Sequence, residues 1–113
     1  MTEKPDDSGN AVLDRLFATI ESRRGMDPST SYTAKLLADG RAKIAQKLGE
    51  EAVEAAIASI ASEKTELVRE SADLLYHLFV LWAACDIAPA EVWAELEKRE
   101  GRSGIAEKAS RGL

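Results

Sequence analysis

TELVRESADLLYHLFVLWAAC, Thr65 to Cys85, is the stretch whose reading decides the fold. Leu67, Val68, Leu74, Leu75, Leu78, Phe79, Val80, Leu81 and Trp82 cover most of the circumference of a helix with 3.6 residues per turn. A helix apolar nearly all round must be surrounded by other elements. The stretch before it, RAKIAQKLGEEAVEAAIASIA from Arg41 to Ala61, reads as a second long helix carrying Ile44, Leu48, Ala52, Val53, Ile57 and Ile60. Only Ser62-Glu63-Lys64 separates the two, so they should be antiparallel neighbours, each about 30 Å long.

Further out, Val12, Leu13, Leu16, Phe17 and Ile20 give the helical period, and a first helix is predicted from about Asn10 to Arg24, stopped near Gly25. Met26 to Ser31 is rich in turn residues, and Ser31 suits the cap of a short helix through Leu37 that Gly40 would end. Asp86-Ile87-Ala88 breaks the pattern, and Pro89 suits the first turn of a last helix to about Glu100. Residues 1–9 read as a flexible N-terminal tail and 10–113 as one all-α domain, a bundle of four to five helices. So few helices do not easily wrap the Thr65–Cys85 helix, so dimerisation is expected to complete the core, and Gly101 to Leu113 reads as a tail that orders on a ligand or a partner.

The formal charge of −5, from 15 basic and 20 acidic residues in 113, argues against nucleic acid as the main partner. It leaves room for a small phosphorylated ligand held by a few local cations. The lone Cys85 lies in an apolar run and reads as a small buried hydrophobe. No run reaches the roughly 18 apolar residues of a membrane span, and Met1 to Asn10 has no apolar segment of a signal peptide. A cytoplasmic protein with no membrane partner is the expectation.

The chemistry lies in the acids. Glu50, Glu51 and Glu54 fall on the first long helix, and Glu70 and Asp73 on the second. Spacings of three or four put Glu51 beside Glu54, Glu50 beside Glu54, and Glu70 beside Asp73. Most helical Glu residues are simply solvated, yet these stripes turn apolar within a turn or two: Glu51 continues into Ala55 and Ala58, Glu70 into Leu74, and Asp73 into Val80. Acids on faces that become core suit a site between helices. Each like-charged pair at about 5 Å costs on the order of 3 kcal/mol at an effective dielectric near 20. A hard divalent cation relieves that repulsion, Mg²⁺ or Mn²⁺ being the ions carboxylates suit, and surface or ion-paired acids are the alternative. A di-iron centre would need Glu-x-x-His, but Leu74 stands three residues before His77, the only histidine. His77 itself reads first as a hydrogen-bonded, partly buried side chain and second as a catalytic one. Lys35, Lys43 and Lys47 precede the acids, and Arg99, Arg102, Lys108 and Arg111 gather near the C-terminus. Such cations hold phosphates beside a metal, although most charges of this kind are merely solvated.

Ser31-Tyr32-Thr33-Ala34-Lys35-Leu36-Leu37, the segments Lys43 to Glu54 and Glu70 to His77, and the ending Arg99 to Lys108 together resemble the phosphoribosyl-ATP pyrophosphatases of histidine biosynthesis, over roughly residues 12–111. The Glu-x-x-Glu and Glu-x-x-Asp pair alone indicates only the wider all-α nucleoside-triphosphate pyrophosphohydrolases, while Ser-Tyr-Thr and Ser-Gly-Ile-Ala-Glu-Lys narrow the resemblance to the histidine branch. It implies cleavage of phosphoribosyl-ATP to phosphoribosyl-AMP and pyrophosphate, with Glu51, Glu54, Glu70 and Asp73 holding Mg²⁺ against the triphosphate. It also implies that Glu50 positions or deprotonates the attacking water, a role Glu51 could exchange with it. Lys43 and Lys47 would bind phosphates, Lys108 and Arg111 would close over the site, and the family builds a homodimeric core. Two rivals stand beside this reading: a pyrophosphatase acting on dUTP or damaged dNTPs with the same cluster, and a non-catalytic dimeric bundle.

Overall fold

A computed structural model describes residues 9–61, 63–101, 108 and 111. The described residues form five helices and no strand: α1 (Gly9–Ser22), α2 (Tyr32–Asp39), α3 (Arg41–Ala61), α4 (Lys64–Ala84) and α5 (Pro89–Arg99). The expected tail of residues 1–9 lies outside the described residues, apart from Gly9, which opens α1. The Ser-Gly-Ile-Ala-Glu segment lies outside them too.

Helix ends follow local chemistry. α1 stops at Ser22, two residues short of expectation: Met26 N–H bonds to the Arg23 carbonyl, and Gly25 takes φ 81°. Ser31 caps α2 by accepting the Ala34 N–H at 3.1 Å. α2 runs on to Asp39 before Gly40, at φ 95°, ends it and starts α3 at once. That φ is open to glycine and costly for other residues. After α4, Ile87 N–H reaches the Trp82 carbonyl at 2.9 Å and Asp86 takes φ 58°, the left-handed turn that commonly ends a helix. Pro89 opens α5, where the Glu91 carboxylate accepts the Ala88 N–H at 2.8 Å.

α3 and α4 form the antiparallel hairpin expected from their short connection, with Ala55 and Ala58 buried where the helices approach. The other helices gather at one end of it. There Ile20 of α1, Leu36 of α2, Ile44 of α3, and Phe79, Val80, Trp82 and Ala83 of α4 make a continuous core. Phe79 stacks on Trp82 at 4.7 Å between ring centroids, and Phe17 and Trp93 bring α1 and α5 against Phe79. Arg24 donates to the Ala83 carbonyl at 2.7 Å, tying the chain just after α1 to the end of α4. Thus the last turns of α4, from Phe79 to Ala83, are wrapped by the other helices.

The other end of the hairpin is not covered. Val53, Ile57 and Ile60 on α3 are 59%, 58% and 89% exposed, and Val68 and Leu75 on α4 are 59% and 44% exposed. The apolar periodicity of α3 therefore runs along two faces, one turned to α4 and one to solvent. Among the described residues no single helix is long and apolar enough to cross a membrane.

Candidate metal centre

Halfway along the hairpin the acids meet. One carboxylate oxygen from each of Glu51, Glu70 and Asp73 lies within 4.8 Å of the other two. The antiparallel register places Glu51 of α3 against the Glu70–Asp73 turn of α4, and Glu54, one turn further on, against Glu70. Glu54, Ile57, Ala58, Glu66 and Glu70 line an adjoining pocket of about 200 Å³. The Glu51 and Glu70 side chains each bury one oxygen, Oε2, with no hydrogen-bond partner.

Burial pushes the Glu51 carboxyl above its ordinary value, the nearby Glu54 and Asp73 carboxyls push it further, and His77 partly offsets them. Glu70 is pushed up to about 7, first by burial and then by the neighbouring Glu54, Glu66 and Glu51 carboxyls. A buried acceptor without a donor is costly, and here two lie together among like charges. Hard oxygen donors from several carboxylates, two of them unsatisfied, fit a divalent cation of the magnesium class. Among the described residues neither Lys47 nor Lys35 fills that role: Lys47 pairs with Glu50 at 3.7 Å, and Lys35 with Asp39 at 3.0 Å.

The remaining residues singled out in the sequence fall around this centre unevenly. Glu50 points outward, accepting from Gln46 at 3.0 Å and pairing with Lys47. The Gln46 hydrogen bond, with the Lys47 and Lys43 charges, holds its carboxyl below the usual range. Lys43 is exposed on the α3 turn before it. Lys35 is engaged on α2 by Asp39 and joins no acid of the centre. Lys108 and Arg111 are exposed, and the Arg111 charge acts on Glu95 of α5.

His77 is 5% exposed and satisfied at both nitrogens. Its Nδ1–H donates to the Asp73 carbonyl at 2.8 Å, and Nε2 is hydrogen-bonded to the Tyr32 hydroxyl at 3.2 Å. This is the structural role that the sequence favoured. Glu66, half-buried in the pocket wall, is the acid that the sequence reading missed. Its signal was the spacing of four to Glu70, the same rule that grouped the other acids.

A family model described as phosphoribosyl-ATP pyrophosphohydrolase matches residues 13–100, which include every acid of the centre. Several curated relatives carry the name phosphoribosyl-ATP pyrophosphatase. The one from Azospirillum brasilense is 61% identical over 101 residues, covering 89% of this chain and 91% of the relative. That of Paramagnetospirillum magneticum is 62% identical over 100 residues, 88% and 92% of the two chains. That of Cereibacter sphaeroides is 60% identical over 102 residues, 90% and 99%.

Proposed function

The chain belongs to the phosphoribosyl-ATP pyrophosphohydrolase family, and from that premise we propose that it hydrolyses phosphoribosyl-ATP to phosphoribosyl-AMP and pyrophosphate, an early step of histidine biosynthesis, at the acidic centre between α3 and α4. The observation that carries the placement is the pair of buried, unpartnered oxygens of Glu51 and Glu70 within a three-carboxylate cluster.

In this reading Glu51, Glu54, Glu70 and Asp73 hold Mg²⁺, with Mn²⁺ as a substitute. Bound there, such a cation neutralises charge on a triphosphate and activates a coordinated water. The chain's own groups do the rest. The hairpin fixes four carboxylates on two rigid helices. Lys47 and Lys43, on the turns of α3 before the acids, meet the phosphate oxygens, and Lys47 leaves Glu50 to do so. Glu50, ionised and outward-facing, orients the attacking water. Glu51 has the higher proton affinity and is the alternative acceptor, but as a metal ligand it would give that role up. Lys35, Lys108 and Arg111 complete the phosphate-binding set, Arg111 by exchanging Glu95 for phosphate.

The exposed Val53, Ile57, Ile60, Val68 and Leu75 support a homodimer in which a second copy covers the open end of the hairpin. The enzyme would work in the cytoplasm on a soluble nucleotide.

The test is pyrophosphate release from phosphoribosyl-ATP with Mg²⁺, then with EDTA, beside ATP and dUTP. Magnesium-dependent release from phosphoribosyl-ATP alone is the expected result. Release only from the simpler nucleotides would move the enzyme to another branch, and release from none would remove the activity.

A further inference from the structure

Tyr32 is anchored far more firmly than a half-exposed residue at a helix start requires. Its hydroxyl is hydrogen-bonded to His77 Nε2 at 3.2 Å, and its ring meets the His77 ring edge to face at 6.0 Å. Tyr76 stacks on it at 6.2 Å and 23°, and the Tyr76 hydroxyl is itself hydrogen-bonded to Thr33 Oγ1. Two side chains of the Ser31-Tyr32-Thr33 segment thus grip α4 one turn from Asp73, whose carbonyl accepts from the same His77. Yet half of Tyr32, 50%, stays open to solvent.

The other aromatic side chains have no such freedom. Phe79 and Trp82 are buried in the core, and Phe17, Trp93 and Tyr76 pack against it. Of the six aromatic residues in the chain, Tyr32 alone is exposed. The centre beside it is lined by carboxylates, which suit cations and metal-bound phosphates, and the adjoining pocket adds Ile57 and Ala58 but, among the described residues, no aromatic face. A purine stacks on an aromatic π face. A ring immobilised before the ligand arrives gives up little entropy on binding.

We infer that Tyr32 is the platform on which the purine of the nucleotide substrate stacks, which makes it the specificity-determining residue for the base half of the substrate. The inference rests on the pyrophosphohydrolase reading of the neighbouring centre. Stacking is tolerant of base identity, so Tyr32 sorts base-bearing triphosphates from base-free ones rather than one purine from another.

The experiment separates the two halves of the substrate with two product inhibitors of phosphoribosyl-ATP cleavage, phosphoribosyl-AMP and pyrophosphate. In Tyr32→Ala the inhibition constant of phosphoribosyl-AMP rises roughly five- to a hundredfold while that of pyrophosphate stays within about twofold. KM for phosphoribosyl-ATP rises more than kcat falls, and Tyr32→Phe, which keeps the ring, restores most of the affinity. Equal weakening of both inhibitors would reduce Tyr32 to a packing residue and overturn the inference, and so would no weakening of either. Should Tyr32→Ala fail to fold, Tyr32→Trp reads the same contact. Its added emission over wild type is quenched by AMP and not by pyrophosphate, and absence of that quenching overturns the platform. Quenching by AMP in a protein that does not cleave phosphoribosyl-ATP would uphold the platform and overturn the reaction instead.

Discussion

At its closed end the α3–α4 hairpin buries Phe79, Val80 and Trp82 beneath α1, α2 and α5. From its midpoint to its open end the same two helices leave Val53, Ile60, Val68 and Leu75 in water and bury two carboxylate oxygens instead. Both ends are apolar by sequence, so hydrophobic content alone does not say where stability comes from. The closed end holds the chain together, while the open half keeps like-charged carboxylates close, a cost in stability that the proposed activity would explain. Such exchanges of stability for function are common at active sites.

The largest expected effect lies in the open end. Glu54→Gln should lower turnover about a thousandfold, the scale of a several-kcal/mol loss of metal-centred stabilisation. The helical circular dichroism should be unchanged and the thermal midpoint equal or higher, because one like charge has gone. Loss of the fold would instead make Glu54 a structural acid. The mirror experiment is Phe79→Ala at the closed end, where the ring is fully buried. Truncations of this kind cost about 3–5 kcal/mol out of a typical total of 5–15. Val53→Ala should cost the dissociated monomer no more than about 0.5 kcal/mol. If denaturant titration gave the two variants similar losses, the division between the ends would not hold.

What the sequence made legible follows the same division. The helical period located all five helices, Ser31 and Gly40 marked the ends of α2, and spacings of three and four grouped Glu51, Glu54, Glu70 and Asp73. These are local rules, and local rules are readable. Periodicity finds an apolar face but not what covers it, so Val53, Ile57 and Ile60 looked like the same kind of position as Ile44, which is fully buried. Nor does spacing within one helix show which way a side chain leans to its nearest partner. Glu50 follows Gln46 and Lys47 outward, Lys35 turns to Asp39, and Glu66 turns into the pocket.

A third, smaller effect tests what covers the open end. Ile60→Asp places a charge on a face that a second copy would bury, and burying an unpaired charge is strongly unfavourable. Wild type should sediment at twice the chain mass, and the variant should shift towards the monomer while keeping its helical content. A wild-type monomer at all concentrations would leave the open end uncovered in solution.

The smallest effect comes from Glu70 and depends on pH. Its folded carboxyl titrates at about 7, against an ordinary value of 4.5. The folded state therefore holds a proton that the unfolded chain has already released above pH 4.5, so each step up in pH across that window favours unfolding. The contribution of this group is complete below 4.5, declines as the pH rises, and is gone above about 7, where the ionised, partly desolvated carboxylate is a fixed cost. Glu70→Gln cannot titrate. In EDTA, the thermal midpoint of wild type minus that of Glu70→Gln should fall between pH 4.5 and 7.5 and then level off. Mg²⁺ at pH 8 should raise the wild-type midpoint more than that of the variant, because only wild type presents the carboxylate that the cation would neutralise. A flat difference across the window would mean that Glu70 relaxes into solvent when the centre is empty. In that case the open end would carry no electrostatic strain, and its contrast with the closed end would rest on the exposed apolar face alone.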